Sequence, residues 1–313
     1  MKIILQETLR GIFYAPFYAA LALGAYEDEG LEVVLKTSER PDDAVRSVIE
    51  GSADLSWGGP MRVIVGHDRN PHSELVCFCE TVTRDPFFLI GDTPIEEFTF
   101  DKLFGVKLAL VSEVPTPWFC LQEDIRRAGL DPLRIQQTPT RTMAENVNLL
   151  GKDGLNVVQV LEPFAEELIG SGRGHMWYAA AKRGHTTYTC FYTRRPTLES
   201  RRAEFTAMTR AIFRVQRWMQ QVDAGELASV LADYFPNVPI ERLTSAIGRY
   251  LSLGVWGKNP LLPRSGFELL KASMISSGGI NSDLPFEQAV DNSLAEDVIA
   301  QIPPPIRPRH RPI

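Results

Sequence analysis

The chain has 313 residues, 44% of them hydrophobic, enough to bury a sizeable core and a length that suits two lobes better than one. Its formal net charge of -6 leaves no broad basic field for nucleic acid. No apolar run approaches the ~18 residues of a membrane span, the longest candidate being Ala15 to Ala25.

In chain order, the first ninety residues alternate strand and helix patterns. Ile3 to Gln6 reads as a strand, Ala15 to Glu29 as a helix, and Leu31 to Lys36 as a strand alternating Leu31, Val33 and Leu35. Pro41 to Glu50 is a helix opened by proline and closed by Gly51, and Ala53 to Trp57 and Leu75 to Glu80 continue the strands. Strands alternating with helices predict a mostly parallel sheet covered on both faces.

A second series follows the strand Phe87 to Ile90 and the turn cluster Gly91 to Pro94. Its strands are Val106 to Val111, Leu133 to Gln137 and Leu155 to Val160; its helices are Pro117 to Ala128, Thr140 to Leu150 and Glu162 to Ile169. A strand pattern at Thr186 to Thr193 leads into helices alone: Arg201 to Val222, Ala224 to Tyr234, Ile240 to Leu253, Gly266 to Ser276 and Phe286 to Ala300. In the first, Phe205, Met208, Ile212, Val215 and Met219 form a core stripe. These helices need a sheet to cover, and the first lobe supplies it.

Lobe one is therefore expected at 1–90 plus 190–302, lobe two at 91–189, and two crossings make a hinge. Residues 303–313, proline-rich with Arg307, Arg309 and Arg311, are expected to form an extended, mobile tail. The short apolar run at Ile3 to Leu5 is too brief for a secretory leader, so the start reads as mature or cytosolic. Cys77 and Cys79, two apart on a strand, are expected to point the same way and, with Cys120 and Cys190, to be buried thiols. The five histidines offer no metal-site spacing, and no metal or cofactor is expected.

In open α/β sheets ligands lie beyond the carboxyl ends of the strands. That rule selects Arg10 to Tyr14, Trp57 to Pro60 and Glu80 to Thr83 from lobe one. From lobe two it selects Ser112 to Trp118, Pro139 to Arg141 and Glu162. Trp57, Gly58 and Gly59 could let a planar ligand lie on the indole while backbone amides approach. Ser112 and Thr116 put hydroxyls before a helix, an arrangement suited to an anion, and Arg62 could pair with one. Tyr14, Trp118 and Glu162 complete the candidate set.

The runs Ala15 to Ala20, Gly24 to Tyr26 and Glu29 to Val33 resemble the opening of type II periplasmic binding proteins that take up nitrate, sulfonates, taurine and thiamine-pyrimidine precursors, the NMT-like group. Glu50 to Leu55 and Gly105 to Leu110 are similar to that family's next signature and to its opening strand of lobe two. The resemblance implies two α/β lobes joined by a two-strand hinge, with a heteroaromatic or anionic solute in the cleft, an ABC permease as partner and a periplasmic location. It also implies an acidic ligand contact at Glu162.

Eukaryotic pyrimidine-precursor synthases share this fold, which makes an enzyme the alternative. Their chemistry needs a lysine and, four residues on, a histidine, and those places hold Gly58 and Arg62. A glycine forms no Schiff base, so no enzyme activity is expected. The DNA-binding helix-turn-helix of a transcription regulator, the Ser-His-Asp set, the phosphate loop and the HExxH helix are all missing from the sequence.

Overall fold

The computed structural model describes residues 1–307. Lobe one opens with β1 (Lys2–Glu7), a 3-10 turn at Ile12–Tyr14, and two helices, α1 (Ala15–Ala22) and α2 (Ala25–Asp28). Sequence pattern predicts one helix here. Gly24 takes φ 70°, a left-handed conformation that halts the helical ladder and splits it. Next come β2 (Glu32–Thr37), α3 (Pro41–Glu50), β3 (Leu55–Gly58), α4 (Met61–Arg69) and β4 (Leu75–Val82).

After the first crossing the chain builds β5 (Phe88–Gly91), β6 (Lys107–Ala109), α5 (Thr116–Arg127), β7 (Gln136–Gln137), α6 (Met143–Leu149), β8 (Leu155–Val160), α7 (Phe164–Gly170) and β9 (His175–Ala179). β9 was not anticipated. The second crossing leads to β10 (Thr189–Arg194), then α8 (Arg195–Ser200), α9 (Arg202–Met219), α10 (Ala224–Leu231), α11 (Ile240–Leu253), α12 (Arg264–Ser276), α13 (Phe286–Ala289) and α14 (Ser293–Gln301). The last two replace the single helix expected over Phe286 to Ala300.

The strands form two five-stranded sheets, ordered β2-β1-β3-β10-β4 and β7-β6-β8-β5-β9. β1 pairs in parallel with β2 and β3, and β6 with β7 and β8. One strand in each sheet runs against the rest, β10 between β3 and β4 in the first and β5 between β8 and β9 in the second. β5 and β10 are the strands that arrive from the other lobe. A chain crossing over enters a sheet at the edge where its parallel strands end, so it must run against them.

The predicted stripe of α9 is buried, Phe205, Met208, Ile212 and Val215 completely. Within β4, Cys79 takes φ 56° beside a bulge in the pairing with β10, which breaks the alternation of the strand. Cys77 and Cys79 consequently enter different core clusters instead of pointing the same way.

The C-terminal helices do more than cover the first sheet. α11 also packs on α7, and α12 on α5, so lobe two is held from both sides of the crossings. The expected mobile tail begins packed: Ile306 is 2% exposed, its amide donates to Arg214 O at 3.1 Å, and Arg217 donates to Pro303 O. Arg309 and Arg311 lie outside the described residues.

Candidate functional site

The two lobes meet over a cavity whose walls are the ends of the parallel strands and the two crossings. Past β1 come Thr8, Leu9, Phe13 and Tyr14; past β3 come Gly59, Met61 and Arg62. Lobe two adds Val114 and Thr116 past β6, Met143 past β7 and Leu161 past β8. The crossings contribute Phe87, Tyr188 and Thr189. Including its mouth the space is about 490 Å³, but only about 30 Å³ of it accepts a water-sized sphere, room for a water or two. The lobes are closed on one another.

Most of the wall is apolar or aromatic. Phe13 packs tilted on Tyr14, centroids 3.9 Å apart, and edge-on to Tyr188 at 6.4 Å. Against this wall stands one cation, Arg62, whose side chain is 6% exposed and donates from Nη1 to Asp42 Oδ1 at 2.9 Å. Asp42 itself is largely in solvent. A guanidinium carries five N–H donors, so a single carboxylate on the rim leaves most of them for another acceptor. Burial raises the Tyr14 hydroxyl far above its usual range, with Arg62 pulling the other way, so the phenol beside the guanidinium stays neutral.

Of the residues the sequence nominated, Phe13, Tyr14, Gly59, Arg62, Val114 and Thr116 reach this cavity. Trp57 does not. Its indole is fully buried behind the wall, stacked on Phe17 at 4.7 Å and 7° and met edge-on by Tyr18 at 5.6 Å. The expected platform for a flat ligand is a core residue, because α1 supplies the ring that stacks there. Gly58 sits in β3, where an added Cβ would crowd Thr8 Oγ1 at 3.1 Å and Tyr192 at 3.2 Å, so its lack of a side chain serves packing.

Glu162 is also taken. Its carboxylate is fully buried, ion-paired with Arg249 of α11, and accepts from the Glu166 amide at 2.8 Å. Arg249 reaches Glu166 Oε2 at 2.7 Å as well. The Glu162 amide donates to the Tyr250 hydroxyl at 2.9 Å, and that hydroxyl donates to Pro86 O at 3.1 Å in the first crossing. Burial raises the Glu162 carboxyl above its usual range while Arg249 opposes the rise. In place of the expected ligand contact, Glu162 ties lobe two to the hinge.

Ser112 is exposed and donates to Glu113 Oε2 at 3.2 Å, outside the cavity. Trp118 packs into the core of lobe two. Glu80 falls inside β4, which runs two residues further than expected, and Arg141 only bridges to Val111. Thr8, Leu9, Met61, Phe87, Met143, Leu161, Tyr188 and Thr189 were not nominated, although Leu9, Met61 and Leu161 each adjoin a nominated stretch. The signal that could have found Tyr188 and Thr189 is the start of a strand returning from the other lobe.

A second buried cluster backs the hinge. Arg183 in the second crossing donates to Asp85 Oδ2 at 2.9 Å in the first and to both carboxylate oxygens of Asp124 on α5, at 2.7 and 2.5 Å. Tyr178 donates to Asp124 at 3.0 Å. All three ion partners are buried, and the set joins both crossings to lobe two.

Residues 13–148 match the model of a family described as NMT1/THI5 like, a span that contains the three signatures noted in the sequence. YtlA of Bacillus subtilis (strain 168), named as a candidate binding protein, is 24% identical over 302 residues, covering 96% of this chain and 90% of the relative. The periplasmic nitrate-binding protein NrtA from Synechocystis PCC 6803 has the same fold, with a TM-score of 0.75 at 14% identity over 96% of this chain and 89% of its own. The alkanesulfonate-binding protein SsuA from Xanthomonas axonopodis pv. citri, bound to MOPS, gives 0.72 at 11% identity over 93% and 98%. The desulfurization enzyme DSZB shares the fold too, at 0.71 and 10% identity over 96% and 99%. The resemblance read from the sequence stands: this is the two-lobed α/β fold of periplasmic binding proteins.

Proposed function

We propose that this chain is a solute-binding protein that holds a small organic anion with an apolar or ring-shaped body between its lobes and presents it to an ABC permease. The observation that carries the reading is Arg62: a buried guanidinium with one rim carboxylate for a partner, set in a wall of Phe13, Tyr14, Phe87 and Tyr188. The names of YtlA, NrtA and SsuA support a binding role.

The apolar wall favours an acid that carries hydrophobic surface over a bare inorganic ion, since a fully hydrated ion gains nothing from aromatic neighbours. The thiamine-pyrimidine reading depended on Trp57 and Glu162, and both are engaged elsewhere. Access requires the lobes to part about the crossings and close again.

Thermal-shift titration with benzoate, benzenesulfonate, nitrate and the thiamine pyrimidine precursor tests this. Benzoate or benzenesulfonate should stabilise the protein, by about 2.7 kcal/mol at a hundred times its Kd, and Arg62→Met should abolish the effect. Stabilisation by the pyrimidine alone, or by nitrate alone, overturns the proposed solute class. Turnover of any of them would overturn the binding-protein reading.

A further inference from the structure

Tyr188 and Thr189 stand side by side where the second crossing becomes β10, and both line the cavity. They are 7% and 1% exposed, yet among the described residues neither the Tyr188 phenol oxygen nor Thr189 Oγ1 has a hydrogen-bond partner. Buried hydroxyls almost always find partners, because the water they give up must be replaced. Two adjacent exceptions on one cavity wall point to a polar group that arrives from outside.

Their surroundings separate them from Arg62. The ions that act on Tyr188 are Asp85 and Arg183, on the hinge side, whereas Arg62 acts on Tyr14 and Tyr192 and pairs with Asp42; the neutral Tyr14 ring stands between the two ends. The Tyr188 ring is steadied between Phe13 and Phe87, with centroids 6.4 Å away on both sides. The cluster behind it sets two acids, Asp85 and Asp124, against one guanidinium, Arg183, and offers no spare cation. A second acid on the solute is unwelcome there. An uncharged group is not, and a hydroxyl wall can both donate and accept.

We infer that Tyr188 and Thr189 are specificity-determining residues that hold a hydroxyl or carbonyl group at the end of the solute away from its acid. The inference rests on the reading of Arg62 as the acid's anchor. It narrows the ligand class to small ring acids bearing one further neutral polar group, and it disfavours diacids.

Calorimetric titration of benzoate, meta- and para-hydroxybenzoate and terephthalate tests it, on the full chain and on Tyr188→Phe/Thr189→Val and Arg62→Met. The full chain should prefer the better hydroxybenzoate to benzoate by about tenfold, the worth of one hydrogen bond, and should bind terephthalate more weakly than benzoate. The double variant should lose that preference. Equal binding of benzoate and both hydroxybenzoates by the unaltered chain overturns the inference, and so does a preference that survives in the double variant. Loss of benzoate in Arg62→Met would still leave the acid site standing in those cases. If no aromatic acid binds the unaltered chain, the acid site falls and the inference with it. The preferences of the unaltered chain decide the matter even where a variant does not fold.

Discussion

Replacing Arg249 by alanine should expose how much of the fold depends on the tie between α11 and lobe two. The substitution leaves the Glu162 carboxylate fully buried without its ion partner and takes one partner from Glu166, which keeps Ser245 Oγ at 2.9 Å. Breaking a buried pair from one side typically costs about 3–5 kcal/mol. Arg249 is 20% exposed, so water can reach the gap and the low end, about 3 kcal/mol, applies. With an unfolding entropy of about 2.1 cal/mol/K per residue over 313 residues, that is a fall in Tm of about 4–5 °C.

The loss should depend on pH in a defined direction. Burial already raises the Glu162 carboxyl and Arg249 is what opposes it, so in the variant the folded-state pKa rises further. A group whose folded pKa lies above its unfolded value stabilises below the unfolded value and loses that contribution as pH rises through the folded one. The deficit should therefore be large at pH 8 and shrink toward pH 4. Adding Glu162→Gln should recover at least half of it at pH 8, because no unpaired charge then remains at that position. Calorimetric melting of the wild type and the two variants at both pH values is the assay. A deficit under about 0.5 kcal/mol, or a double variant no more stable than Arg249→Ala, would refute the argument.

Glu80 offers a simpler case: it is 1% exposed, its Oε1 has no partner among the described residues, and burial pushes its pKa well above 4.5. Wild-type stability should thus decline as pH rises from 4.5, and Glu80→Gln should melt higher than wild type at pH 8 and flatten that decline; an unchanged pH profile counts against it. Gly184 in the second crossing takes φ 100° and ψ -156°, a region almost closed to side chains, with open space where a Cβ would go. Gly184→Ala should consequently cost backbone strain alone, about 1–3 kcal/mol, and a Tm change below about 1 °C on melting would contradict it.

Much of this architecture was readable from the chain because it is written locally. The helix from Pro41 to Glu50 and the strand from Leu155 to Val160 carry their own periodicity and boundaries, and both appear as expected. The rule that sites gather past strand ends found the cavity itself, since Tyr14, Gly59, Arg62 and Thr116 are placed by the strands just before them. It failed for Trp57 and Glu162, which also follow or end strands. What decides their roles is a partner far away in sequence: Phe17 for the indole, and Arg249, 87 residues on, for the carboxylate. No local pattern encodes such pairings. β9 was missed because His175 to Ala179 has no clean alternation, and the parallel orientation assumed for Cys77 and Cys79 failed on one left-handed residue.

The four thiols offer a built-in reporter of how the two lobes come apart. Cys77 and Cys79 lie on β4 and Cys190 on β10, all in the first sheet, while Cys120 is on α5 in lobe two; every one is buried. Burial pushes the thiols of Cys79, Cys120 and Cys190 upward, that of Cys120 to about 12, so in the native state they are neither reachable nor ionised for alkylation. A thiol reagent consequently modifies this protein only when one lobe or the other loosens. Cys120 shares its core cluster with Cys190 and with Phe267 and Met274 of α12, so the order in which peptides carrying Cys120 and Cys190 acquire the label is a clock for whether the contact of α5 with α12 or the first sheet gives way first.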